Sequence, residues 1–186
     1  MTKIIFVTGS MRKNSFNRQL AREIAGMIGS RAEVSFLDYA DIPWMNQDIE
    51  FPAPSSISRV RSLLQEADGI WICSPEYNGT IPGVLKNLLD WVSRSLDAND
   101  PAGLSAVAGK PVTISGAGGR AKARFVRNHL ADLLTFMRME VIGGEGTGIA
   151  VSASGWQTDV LTLDEQQKAE LNAQVDTFLN AVKLPI

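Results

Sequence analysis

The sequence predicts an α/β fold: a doubly wound, five-stranded parallel sheet with helices on both faces, forming one three-layer domain over residues 1–186. Three observations carry that expectation. Short runs of β-branched and apolar residues recur along the chain, each about the length of one strand. Between them, apolar residues return at helical spacing. The central runs are apolar almost throughout, as a strand covered on both faces requires.

In order, Lys3–Thr8 (KIIFVT), bounded by Gly9, reads as a buried strand. Leu20, Ile24, Met27 and Ile28 then define a helix from about Asn17. Residues 32–37 alternate Val34 and Phe36 with polar residues, giving a second strand, and the Pro-rich stretch 41–58 is a loop. A helix over residues 57–67 places Val60, Leu63 and Leu64 on one side. Residues 69–74 (GIWICS) are the third strand. Pro82 suits the first turn of a helix that runs to about Leu96, with Leu85, Leu88, Leu89 and Val92 inward.

Residues 99–109 form a small-residue loop and residues 112–115 a fourth strand. After a Gly-rich turn, a helix spans residues 123–137, and residues 140–142 are the fifth strand. Residues 150–157 are either an irregular loop or part of an interrupted last strand. Thr162 and Glu165 have capping-box spacing and open a final helix striped by Leu171, Val175, Phe178 and Val182.

Composition narrows the function classes. The chain is 45% hydrophobic and 20% charged with a net charge of −2, ordinary for a globular protein and unsuited to tracking a nucleic-acid backbone. Cys73 is the single cysteine, so no intrachain disulfide forms, which fits a reducing compartment and a cytoplasmic location. His129 is the single histidine and has no companions at ligand spacing, so no metal site is expected. No apolar run approaches the ~20 residues that cross a bilayer, and the N-terminus enters a strand at once rather than a signal peptide.

In such folds ligands bind beyond the carboxyl ends of the strands, so the loops after strands one, three and four are where chemistry is expected. The first, residues 8–17, leads into a helix N-terminus with free N–H groups and partial positive charge. Ser10, Ser15 and Asn17 add donors, and Arg12 adds a guanidinium fork suited to phosphate. The loop has neither a Gly-Lys-Ser/Thr triplet nor the glycines of the dinucleotide fingerprint. The plainer reading is a polar turn with Ser15 as helix cap and Arg12 and Lys13 in solvent.

In the second loop, residues 74–83, Pro75 and Pro82 stiffen the chain and Asn78-Gly79 invites a turn with positive φ. A rigid loop of this kind aims backbone N–H groups at one edge of a flat polar ligand, with Tyr77 and Pro75 as apolar contacts. The alternative is a structural turn with Glu76 as an exposed acid.

Ser10-x-Arg12-x-x-Ser15-x-Asn17, followed by Pro75-Glu76-Tyr77-Asn78 and Leu85-Lys86-Asn87-x-x-Asp90-Trp91, resembles the NADPH-dependent FMN reductase family. Its flavodoxin-like members include chromate, quinone and azo-dye reductases. The resemblance implies that Ser10, Arg12, Ser15, Phe16 and Asn17 hold the FMN phosphate and that Pro75, Glu76, Tyr77 and Asn78 line the isoalloxazine. It implies hydride transfer from NADPH or NADH through FMN to a small-molecule electron acceptor, with ping-pong kinetics and no indispensable acid–base side chain. Family members are dimers or tetramers, and the helix of Asn87, Asp90 and Trp91 is similar to their interface helix; Trp91 as core is the competing reading.

The third loop, residues 115–121, contains a G-x-G-x-x-A string, but too little chain follows it for a dinucleotide fold. The resemblance instead implies that Ser115, Gly116 and Ala117 let the backbone approach the flavin. Arg120 either meets NADPH phosphates or belongs with Lys122, Arg124 and Arg127 to a solvated basic face. Cys73 reads as buried and inert, His129 as structural, and Trp44 and Met45 as either bordering the acceptor site of a neighbouring subunit or plain surface or core residues. A flavodoxin-type electron carrier is the alternative function; balanced charge and Arg12 in the first loop argue against it.

Overall fold

The structure, a computed structural model, describes residues 1–182. β1 (Lys3–Thr8) lies between β2 (Glu33–Phe36) and β3 (Gly69–Cys73), and β4 (Pro111–Gly118) pairs with β3 on its far side. All pairings are parallel, with Ile5 opposite Ile70 and Ile70 opposite Val112. The first and third loops therefore leave the same edge of the sheet as the second, side by side at the point where strand order reverses.

Helices α1 (Phe16–Ile28) and α6 (Glu165–Val182) cover one face, and α2 (Ser55–Glu66), α3 (Gly83–Val92) and α4 (Arg124–Phe136) cover the other. The helical spacing of Leu20, Ile24 and Ile28 buries that stripe of α1 against Phe6 and Trp71. Trp71 is fully buried, stacked at 10° on Phe6 and edge-on to Phe178. Its indole N–H donates to Ser115 Oγ at 3.1 Å, so the polar edge of the ring is satisfied inside the core. Among the described residues, no helix is long and apolar enough to cross a membrane.

The last strand differs from its expected extent. β5 (Glu140–Val141) and β6 (Thr147–Ala150) both pair with β4, and residues 142–146 bulge out between them. On β4 only Thr113 and Ile114 cross the same gap. Gly143, Gly144 and Gly146 take the positive φ values that the bulge needs, which side chains resist. The interruption thus falls at residues 142–146; Ala150 ends β6, and the short helix α5 (Ala153–Thr158) follows.

Arg127 holds this bulge, and it corrects the reading of a solvated basic face. Its guanidinium is buried and donates to the carbonyls of Lys122, Glu145 and Gly146 at 3.1, 3.1 and 2.8 Å. Burial lowers its pKa, with the Glu145 carboxylate offsetting part of the effect.

A second correction concerns α6. Its start is capped by Asp164 and Gln167, which exchange side-chain-to-backbone bonds of 2.8 and 3.1 Å, rather than by Thr162 and Glu165. Leu161 and Leu163 both pack toward the core from extended chain, so the helix begins only after them.

Two glycines test this packing in opposite directions. A Cβ on Gly148 would meet the Lys122 backbone oxygen and lie 2.7 Å from an Arg127 nitrogen, whereas one on Gly26 of α1 would meet open space. Gly148→Ala is expected to lower unfolding free energy by about 1–3 kcal/mol, as overpacking does. Gly26→Ala is expected to raise it by about 0.5–1 kcal/mol through helix propensity. Urea midpoints read both; equal midpoints for Gly148→Ala and wild type would refute the close-packing account.

Candidate functional site

The three loops enclose a cavity of about 390 Å³ at the carboxyl edge of the sheet. From the loop after β1 it is lined by Ser10, Arg12, Ser15, Phe16 and Asn17, and from the loop after β3 by Pro75, Glu76 and Tyr77. Ala117 opens the opposite wall, which continues through Gly118, Gly119, Arg120, Ala121 and Ala123.

Three sequence-derived candidates lie outside this lining. β4 runs on to Gly118, so its loop begins later than expected and neither Ser115 nor Gly116 faces the cavity. Ser115 is buried, with its hydroxyl accepting from Trp71 and donating to Gln174 Oε1 at 3.0 Å. A side chain at Gly116 would lie 2.9 Å from both Ala123 Cβ and the Ser74 carbonyl oxygen, so the glycine serves close packing. Asn78 sits at the apex of a tight turn instead of in the wall. Tyr77 and Thr80 exchange N–H···O bonds of 3.1 Å across it, with φ of 51° at Asn78 and 72° at Gly79. That is the positive-φ turn the Asn-Gly pair calls for.

The first loop combines two roles. Ser15 caps α1, accepting from the Asn17 amide at 3.2 Å, while its own hydroxyl hydrogen is free to donate into the cavity. Asn17 is buried and clasps the wall opposite: its side chain accepts from Ala117 N at 2.8 Å and donates to Ala117 O at 3.0 Å. The start of α1 and the end of β4 are locked together by one amide group. Arg12 lies over the Phe16 ring at 5.4 Å from its centroid and pairs with Asp159 at 2.7 Å.

The second loop is fixed by α4. Glu76 accepts from the amides of Phe125 and Val126 at 3.0 and 3.3 Å, serving as the cap for a helix whose own N-cap residue, Ala123, has no side chain to do so. Lys122 and Ala123 both adopt left-handed backbone there, a strained entry that the Glu76 bonds help to hold. His129, further along α4, meets Thr80 Oγ1 at 3.2 Å and ties down the same loop. Glu76 is thus a half-buried acid with a structural role.

Residues beyond the expected set also contribute. Trp156 of α5 lines the cavity and packs edge-on against Phe16 at 5.0 Å. Its signal in the sequence was an aromatic residue within a small, polar stretch whose conformation could not be read locally. Trp91 is fully buried, its indole donating to the Pro43 carbonyl at 2.9 Å, which decides for core. Asn87 donates to that carbonyl and accepts from Met45 N, leaving Trp44 exposed on the loop. Burial pushes the Cys73 thiol pKa up, so it offers no thiolate.

A doubly wound parallel sheet with helices on both faces and a cavity at the carboxyl ends of its strands defines a flavodoxin-like architecture. The family model described as NADPH-dependent FMN reductase matches residues 2–153. A 2-hydroxy-1,4-benzoquinone reductase of a Burkholderia species is 37% identical over 136 residues, covering 73% of this chain and 71% of that protein. A quinone reductase of Pseudomonas putida is 33% identical over 183 residues, covering 97% and 95%. The solved structure of FerB, a flavoenzyme NAD(P)H:(acceptor) oxidoreductase from Paracoccus denitrificans, superposes with a TM-score of 0.85 at 26% identity over 98% of both chains. The chain belongs to the NADPH-dependent FMN reductase family, a family of oxidoreductases.

The Asn17 clasp makes a direct prediction. Asn17→Ala leaves the Ala117 N–H and C=O without their side-chain partner, each group costing about 1–3 kcal/mol where water cannot replace it. Asn17→Asp replaces the donor with a buried carboxylate oxygen facing the Ala117 carbonyl, so its urea midpoint at neutral pH is expected at or below that of Asn17→Ala. An unchanged midpoint in Asn17→Ala would show that the clasp contributes nothing to stability.

Proposed function

We propose that the chain holds FMN in the 390 Å³ cavity and passes hydride from NADPH or NADH to a small acceptor, most simply a quinone. The observation that carries this reading is the donor set that lines the cavity: the Ser10 and Ser15 hydroxyls, the N-terminus of α1 and the Arg12 guanidinium, a match to a phosphate monoester. Pro75–Tyr77 and Ala117–Ala121 complete the lining, and the small residues among them leave room for a planar ring system. The names of the two quinone reductases quoted above support the acceptor class.

Bound FMN would supply the redox chemistry, taking hydride from the nicotinamide and delivering it to the acceptor in a ping-pong cycle. The protein's part is to bind, orient and shield. Ser10, Arg12 and Ser15 would hold the phosphate; Pro75, Glu76, Tyr77 and Ala117 would flank the ring. Asn17 would act indirectly, by fixing the distance between the two walls. No side chain needs to act as an acid or base. We further place the protein in the cytoplasm as a homo-oligomer, in keeping with one buried cysteine and with Trp44, Leu104 and Phe136 standing 71–85% exposed.

An anaerobic absorbance titration tests the reading. Flavin bands that bleach with NADPH and return with benzoquinone support it; bound flavin that NADPH leaves oxidised favours an electron carrier; absence of flavin binding refutes the site. Arg12→Ala is expected to weaken FMN binding about 10- to 100-fold, the value of a charge-assisted hydrogen bond, and to leave riboflavin binding unchanged. Equal effects on both flavins would remove Arg12 from the phosphate.

A further inference from the structure

The wall of the site nearest Arg12 comes from a segment far away in sequence. Asp159, the residue after α5, accepts from Arg12 Nη1 with both carboxylate oxygens, at 2.7 and 2.8 Å, across 147 residues of chain. Among the described residues Arg12 Nε and Nη2 meet no acceptor, so one edge of the guanidinium is left to a ligand. We infer that Asp159 is a positioning residue: it fixes Arg12 with that edge turned to the phosphate group of a flavin mononucleotide and so sets the preference for phosphorylated over unphosphorylated flavin. The inference rests on the proposed FMN site.

The surroundings of Asp159 are built to hold it. Its backbone is left-handed, with φ 59° and ψ 27°, a conformation Asp, Asn and Gly tolerate best. Its carbonyl accepts from Gln19 Nε2 at 3.0 Å, and Gln19 Oε1 accepts from Leu161 N at 2.8 Å. The same Gln19 nitrogen donates to the Asn14 carbonyl at 3.1 Å, tying the phosphate-type loop to the Asp159 segment. Phe16 lies beneath Arg12 and is itself braced edge-on by Trp156 at 5.0 Å. Arginine is held from the tip by a carboxylate and from below by a ring.

Stability does not explain the pair. Its side chains are 49% and 40% exposed, and exposed ion pairs add little to folding. What such a pair does is remove rotamer freedom before the ligand arrives. Immobilising one long side chain costs binding a factor on the order of 2 to 10, and the fold has met that cost through Asp159. The carboxylate also repels a phosphate, and this works against affinity. Both oxygens sit on Nη1, so a phosphate taken by Nε and Nη2 would have the guanidinium between it and the carboxylate, and ordering is expected to outweigh repulsion.

Two substitutions separate ordering from charge and from folding. D159G keeps the left-handed backbone and removes the carboxylate; D159N keeps backbone and acceptor and removes the charge. Fluorescence-quenching titrations of the full-length chain with FMN and with riboflavin are the readout. D159G is expected to raise the Kd for FMN about 5- to 10-fold and to leave riboflavin within twofold, while D159N stays within about threefold of wild type for both. In R12A the D159G change is expected to cause no further loss of FMN affinity, the signature of one coupled unit.

Wild-type FMN affinity in D159G, equal losses for FMN and riboflavin, or a D159N as weak as D159G would each overturn the positioning role. If wild type itself binds FMN no better than riboflavin, the phosphate reading fails beneath it, and that outcome is distinct from the others.

Discussion

The side chain of Asn17 closes the molecule at its functional edge. Two hydrogen bonds to the backbone of Ala117 join the first residues of α1 to the last residues of β4, elements separated by 100 residues. Both groups are buried, so water cannot substitute, and the geometry admits only an amide with its acceptor and donor each in place. The contact ties the N-terminus of α1 to the strand end that lines the cavity beside it. A residue that lines the cavity thus also joins two of the segments that form it.

The same economy runs through the second wall. Glu76 and His129 bind the loop after β3 to α4, and α4 in turn sends Arg127 into the bulge between β5 and β6. The bulge redirects the last strand so that α5 and Asp159 arrive over Arg12. Charged groups that a surface reading would leave in water thus form a chain of contacts from the β3 loop, through α4 and the bulge, to the far side of the cavity. The strain at Lys122 and Ala123 sits in the middle of this chain, where hydrogen bonds from both sides hold it.

The chemistry assigned to the site makes modest demands on side chains. Cys73 is buried with its thiol held neutral, and the site's one carboxylate from the β3 loop is committed to helix amides. What remains in the lining is a set of polar donors, small residues and the aromatic side chains of Phe16, Tyr77 and Trp156. Such a site suits a family in which the bound cofactor reacts and the protein orients it.

Residue order alone determined the strand–helix alternation, the buried stripes of α1 and α3, the polar loop that Ser15 closes as the α1 cap, and the Asn78-Gly79 turn. Each rests on neighbours a few residues apart, through side-chain period, capping or backbone preference. The resemblance to a reductase family was legible for the same reason, since its motifs are local. Tertiary structure decided what local pattern cannot carry: that Asn17 serves Ala117, that Ser115 turns into the core, that Arg127 is buried and that Asp159 reaches Arg12. An amide, a hydroxyl or a guanidinium has the same composition whether it meets water, ligand or backbone. Only the packing of distant segments chooses among those partners, and the energy that enforces the choice is the cost of leaving a buried polar group unpaired.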